Sequence, residues 1–416
     1  MKRKICLKGL DIERPEQLTG IVKKLMPRAA AVYKEKEKYF AQGDMYKYRL
    51  VRYRPRERYR YSVSCLAGVQ LVSDRLLTIS DIIIKFDAKD NRAVIAVGVL
   101  LCRLLRSGID FILCEPSLKK RCKSLRGGLP DNGPLAEDAL AAARRYLPQQ
   151  VYSISHLWAE LIKKGPGMLV WRQLRVKLRR LRSSLSICKP LLPAAALRRW
   201  QSELRAHTAV LSKVREYDVA VQAADRMGED AVPRLAEYLA AKRAQAAQEA
   251  MAGFRLNKLT HELALLLVGL YSAPAKRGVK LRPFFKRRFA LWYEKLGALA
   301  QKEDLFGNMQ ELHALRISLK KFRYALEGVS ALKAPGALLR RLKRLQDLLG
   351  RLHDGYVNKE MLGSLNREPG PGSALAMEAA RFIGWQEAKD EADREKLPPL
   401  WAEFSALLEN WRKKNF

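Results

Sequence analysis

Val170-Trp171-Arg172-Gln173-Leu174-Arg175-Val176-Lys177-Leu178-Arg179-Arg180-Leu181-Arg182 is the stretch on which the fold class of this chain turns. Arg172, Arg175, Arg179 and Arg182 stand at offsets 0, 3, 7 and 10, which puts them on one face of an α-helix over about 15 Å. Leu174, Leu178, Leu181 and Leu185 form an apolar line beside them, so the helix has a core-facing side and a cationic side. The pattern recurs 141 residues later, where His313, Arg316, Lys320 and Arg323 repeat the offsets beside Leu312, Leu315, Leu319, Phe322 and Leu326. A single basic stripe is ordinarily a solvated helix face. Recurrence in phase, without interleaved acids, points instead to two related helices presenting cations to a linear polyanion.

The same residues carry a family resemblance. The first stretch is similar to the first signature of CHAD domains, the conserved histidine α-helical domain family, and His313-Ala314-Leu315-Arg316-Ile317-Ser318-Leu319-Lys320-Lys321-Phe322-Arg323-Tyr324-Ala325-Leu326-Glu327 resembles the second. Arg215-Glu216-Tyr217-Asp218-Val219 and Gln346-Asp347-Leu348-Leu349-Gly350-Arg351-Leu352-His353-Asp354 follow in the family's order. Four ordered matches are more specific than one short motif. The resemblance, taken over residues 135–414, implies two pseudo-repeated helical bundles around a basic central cavity, and it implies binding of inorganic polyphosphate. Two departures stand out: Arg172 replaces the first family histidine, and Glu216 replaces the first aspartate of the family's Arg-Asp-x-Asp signature. Arginine keeps a donor and a permanent charge, so anion binding survives the first change.

Composition agrees with an anionic partner. There are 79 Lys and Arg against 43 Asp and Glu, a net charge of +36, and 48% hydrophobic residues, enough for a large core. The basic start, Lys2, Arg3, Lys4 and Lys8, is not followed by an apolar run, so no secretory signal is read there. The run Ala93 to Cys102 is too short to cross a bilayer. Cys6, Cys65, Cys102, Cys114, Cys122 and Cys188 form no Cys-x-x-Cys pair and read as free, packed thiols of a cytoplasmic protein.

The expected architecture is mainly α, with an α+β N-terminal region over 1–130 and the helical domain over 135–414. Pro15 to Phe40 reads as one or two helices. Tyr46 to Tyr53 and Arg58 to Cys65 read as a basic hairpin turning at Pro55, followed by β-rich runs at Gly68 to Val72 and Leu76 to Phe86. A helix over Arg92 to Ser107, capped by Gly108, precedes a glycine-rich boundary at Ser124 to Pro134. Helices are then expected over 135–147, 151–164, a pair within 193–227, one long helix over 231–271, a basic stretch over 275–288 and a helix over 338–352. Two closing helices are expected over 373–396 and 399–411.

Arginine forks suit phosphate oxygens, while lysine acts as a mobile point charge. Arg175, Arg179, Arg182, Arg316, Lys320 and Arg323 are therefore the first candidates for phosphate contact. Arg172 and His313 start their stripes, and Arg180 and Lys321 lie one step off the line; these four are second candidates. Asp218 and Asp354 follow the stripes at similar distances and are expected to hold stripe arginines in place, with ordinary surface acids as the alternative. Arg340 and Arg344 are wall residues or a solvated face.

Nothing in the sequence carries catalysis: there is no phosphate-binding glycine loop, no His-Glu-x-x-His and no Gly-x-Ser-x-Gly. Triphosphatase domains of the type that accompany CHAD domains use Glu-x-Glu-x-Lys on a strand. The nearest string, Glu35-Lys36-Glu37-Lys38-Tyr39, lacks the final lysine and is read in a helical context. The expectation is a polyphosphate-binding protein, not an enzyme, with no cofactor and no metal. Two alternatives remain: a nucleic-acid-binding protein using the Tyr/Arg hairpin for stacking, and a scaffold at polyphosphate granules.

Overall fold

The computed structural model describes residues 2–9, 16–27, 29–39, 45–54, 61–72, 75–107, 111–116, 138–164, 168–228, 231–253, 256–274, 279–302, 304–328, 334–363 and 374–415. The expected caps and breaks at Gly108, 124–134 and Gly165-Pro166-Gly167 lie outside them. The chain forms two compact units. The first comprises Met1–Gly133, Leu140–His207 and Phe254–Arg277; the second comprises Pro134–Ala139, Thr208–Gly253 and Gly278–Phe416.

In the first unit, β1 (Lys2–Gly9), β2 (Ala30–Tyr39), β3 (Met45–Arg54), β4 (Tyr61–Val72), β5 (Arg75–Asp87) and β6 (Phe111–Cys114) make an antiparallel sheet of order β2-β3-β4-β5-β1-β6. The expected hairpin is present, with Tyr53 opposite Val63 and Met45 opposite Leu71. The run at 68–72 is the continuation of β4 rather than a separate strand. Residues 30–39 are the clear correction: this stretch is a strand, not a helix. Its Lys/Glu alternation offers no apolar side at helical spacing, and the register instead sets Glu35 opposite Arg49 and Glu37 opposite Lys47. The Glu-x-Glu string is therefore on a strand after all, with Tyr39 at its last position. β1, unannounced by its basic sequence, and the four-residue edge strand β6 are buried at Ile5, Leu7, Phe111 and Leu113.

Two helices, α1 (Glu16–Leu25) and α2 (Asn91–Leu104), pack on this sheet. Asp90 caps α2 by accepting from Arg92 N at 3.0 Å and Ala93 N at 3.3 Å, and the helix ends three residues before the expected Ser107. Next come α3 (Ala139–Lys164) and α4 (Met168–Ile187). α3 runs through Pro148, where two helices were expected; the proline forfeits a bond, but buried Leu147, Val151, Ile154, Trp158 and Leu161 keep one continuous apolar face.

Likewise 193–227 holds one helix, α5 (Ala194–Met227), because no breaker interrupts it until Gly228, whose φ of 107° ends it. The expected long helix over 231–271 is two, α6 (Pro233–Gly253) and α7 (Leu256–Ser272). α7 packs on β1, β6 and α2, and Thr260 Oγ1 donates to Phe111 O at 2.9 Å. Arg144 of α3 donates to Leu270 O and Tyr271 O, each at 3.1 Å, satisfying carbonyls at the C-terminal end of α7. Gly269 is needed here because a Cβ would overlap the Trp200 ring.

The second unit contains α8 (Leu281–Ala300), α9 (Met309–Gly328), α10 (Gly336–Leu362), α11 (Ala374–Arg394) and α12 (Leu397–Asn415), together with α6 and the later part of α5. α10 packs against α9, α11 and α12, and runs ten residues beyond the expected Leu352 because Asn358 and Leu362 remain buried. Ala220, Ala223, Ala224, Leu235, Leu239, Leu362, Ala379 and Phe382 form one core cluster. Phe289 anchors another, edge-to-face with Phe322 and Trp411 at 5.6 Å each. Among the described residues, no helix is long and apolar enough to cross a membrane.

One buried and one half-buried titratable group give this fold a pH signature. Burial, with Lys258 nearby, pushes His207 down to about 4 from 6.5, only partly opposed by Glu262. Burial pushes Asp390 up to about 6 from 3.8, against the bond Gln386 donates to it at 2.9 Å. Between pH 4 and 6.5 the unfolded chain binds the extra proton at residue 207, so acid destabilises through His207, by up to about 3 kcal/mol. At residue 390 the folded chain binds the extra proton from about pH 4 to 6, so acid stabilises through Asp390. Half-exposed and screened, Asp390 contributes only about 1 kcal/mol. His207→Leu should therefore flatten the loss of stability between pH 6.5 and 4, whereas Asp390→Asn should stabilise at pH 7 and not at pH 4. Urea unfolding at the two pH values checks both signs.

Two basic helix faces as the candidate functional site

α4 presents the first stripe as its sequence dictates. Trp171, Leu174, Leu178, Leu181 and Leu185 are buried, Arg172 is exposed, and Arg175, Arg179, Arg180 and Arg182 are half-buried. Neighbours fix the helix through polar ties: Gln150 Nε2 donates to Ser184 Oγ and Gln201 Nε2 to Ser186 Oγ, both at 2.9 Å. The cations crowd one another. Partial burial and then Arg205 lower the Arg182 pKa, while partial burial and then Arg180 lower that of Lys177. A phosphate placed there would relieve this cost.

α9 presents the second stripe. Asn308 caps the helix, its Oδ1 accepting from Gln310 N at 2.8 Å and Glu311 N at 3.3 Å. Leu312, Leu315, Leu319, Phe322 and Leu326 are buried; His313 is exposed, and Arg316, Lys320, Lys321 and Arg323 are half-buried. Gln346 Nε2 of α10 donates to Leu319 O at 2.7 Å, and the His313 ring lies 5.0 Å from that of His353. Partial desolvation, then Arg316 and Lys320, hold His313 below the usual imidazole range. Within each stripe the structure thus brings the candidate cations together on a half-exposed face beside the buried leucines. Arg340 and Arg344 are exposed on α10.

Both motif acids are paired within the second unit. Asp218, buried, accepts from Arg243 Nε of α6 at 3.0 Å, and Asp354 lies 3.6 Å from Arg215 Nη2. Neither of these two arginines belongs to a stripe, and Asp218 has further polar neighbours. The Arg215–Asp354 pair joins segment 215–219 to segment 346–354 within the second unit, a tie that no spacing in the sequence announces. Arg243 lies in no motif and was missed.

These helices define a class. Residues 157–363 match the CHAD domain family. The chain carries a CHAD domain over this span, which lies inside the expected 135–414. Two solved structures share the fold. The CHAD domain from the plant Ricinus communis has 23% identity and a TM-score of 0.55, covering 67% of this chain and 95% of that one. PptA from Streptomyces chartreusis has 20% identity and a TM-score of 0.50, covering 64% of this chain and all of the other. No curated protein matches the chain.

Proposed function

We propose that this protein binds inorganic polyphosphate through the basic faces of α4 and α9 and does no chemistry on it. The observation that carries the reading is the repeated line of cations at matched offsets, each backed by a buried leucine face, inside a CHAD domain. Arg175, Arg179, Arg182, Arg316, Lys320 and Arg323 supply the principal phosphate contacts, with Arg172, Arg180, His313 and Lys321 beside them. The stripes are made of donors and hold no carboxylate to position a catalytic metal, which fits capture of a polyanion rather than its cleavage. Association with polyphosphate granules in the cytoplasm follows from that binding.

Nucleic acid remains the competing polyanion. Tyr53 of the hairpin is buried and its hydroxyl donates to Thr19 O at 3.2 Å, so it is packed rather than offered for stacking. The test is titration of the full chain with long polyphosphate, short polyphosphate and single-stranded DNA over a range of salt. The full chain is used because α7 shares a unit with the N-terminal sheet. Polyphosphate should bind more tightly than DNA, with affinity falling steeply as salt rises through counterion release. Tighter DNA binding, or polyphosphate affinity indifferent to salt, contradicts the reading. Unchanged polymer length on incubation with magnesium or manganese tests its non-catalytic part.

A further inference from the structure

Three strands of the first unit bring two thiols and a carboxylate to one place. β1 lies between β5 and β6, and the register sets Cys6 opposite Cys114 and Lys8 opposite Asp81. Residues two apart on a strand share a face, and so do residues paired across a ladder. Cys6, Cys114 and Asp81 therefore emerge on the same side of the sheet. The two sulfurs are 3.3 Å apart, and both lie within 4.8 Å of an Asp81 carboxylate oxygen. All three residues are fully buried, at 0% exposure.

We propose that Cys6, Cys114 and Asp81 hold a zinc-class divalent cation as a structural site of the first unit. The donor set chooses the metal: two thiolates disfavour magnesium and calcium, which take oxygen ligands, and with one carboxylate they suit zinc. Tetrahedral zinc takes sulfur at about 2.3 Å and oxygen at about 2.0–2.2 Å, which separates two ligating sulfurs by about 3.8 Å. Side-chain rotation opens the present spacing by the needed ~0.5 Å while the ladder stays paired. One coordination position remains for water or another side chain. Both thiols lose their protons on binding, so affinity should fall in acid. A disulfide would use the two sulfurs alone; the carboxylate as third donor is what points to a cation. Such a site would clamp β6, which is only four residues long, to β1 and β5.

The test uses the full chain, reduced and stripped with a chelator, then titrated with cobalt(II) and afterwards zinc. The expected result is saturation at a single equivalent, with the near-ultraviolet thiolate-to-cobalt band and the intense visible bands of tetrahedral cobalt. Zinc should bleach both and raise Tm. Cys6→Ser and Cys114→Ser should each abolish the thiolate band, Asp81→Asn should weaken binding, and Cys65→Ser should change nothing. Circular dichroism verifies folding of each variant, and the cobalt spectrum of the unmutated chain stands independently should one fail to fold. Absence of the thiolate band in the reduced chain overturns the proposal. So does its persistence in both cysteine variants, or isolation of the protein with Cys6 and Cys114 oxidised to each other.

Discussion

Arg243→Met should lower the stability of the second unit by about 3 kcal/mol, read from the urea midpoint at pH 7. Asp218 on α5 is fully buried, and Arg243 Nε donates to its Oδ1 at 3.0 Å from a side chain 21% exposed. Removing the cation leaves a buried carboxylate whose lost hydration is no longer offset by this partner; broken buried pairs typically cost about 3–5 kcal/mol. Asp218 has further polar neighbours, which places the expectation at the lower end. Replacing both partners removes the uncompensated charge, so Arg243→Met combined with Asp218→Leu should recover most of the loss. A cost below about 0.5 kcal/mol for the single variant, in the range of exposed pairs, would show that the pair is solvated in solution.

The two stripe helices were legible because two periodic signals coincide in them: cations at 0, 3, 7 and 10 and leucines beside them. Elsewhere one signal was absent or misleading. Pro148 resembles a break, yet the buried face of α3 continues through it. The stretch 30–39 has charged residues where periodicity would be sought, and only pairing with β3 determines its state. Gly253 alone marks the junction between α6 and α7 within the alanine-rich run expected as one helix. The candidate cations can be read from local spacing because each set lies on one helix. The acid partners cannot, since Asp218 meets Arg243 and Arg215 meets Asp354 across separate helices. The Cys6, Asp81 and Cys114 cluster was hidden for the same reason: its members come from three strands, and two of those strands were not foreseen as distinct elements.

The largest effect on binding is expected from paired stripe variants. Arg175→Ala with Arg179→Ala removes two half-buried cations from α4, and Arg316→Ala with Lys320→Ala does the same on α9. Hydrogen bonds to charged groups contribute about 1.5–3 kcal/mol each, so losing two corresponds to roughly a hundredfold weaker binding or more. Helical content should hold, because the substitutions leave the buried leucines untouched and alanine favours helix. Arg282→Ala with Arg287→Ala, two exposed cations on α8 that belong to neither stripe, removes the same formal charge and should cost little.

Titration of these three full-length double variants with long-chain polyphosphate at one fixed salt concentration, alongside circular dichroism, is the most direct test of the central claim. The account predicts a large loss of affinity in both stripe variants, a small one in the α8 variant, and unchanged helicity in all. Equal and small losses in all three would mean that diffuse positive charge captures the polymer and that the repeated stripes are not its site.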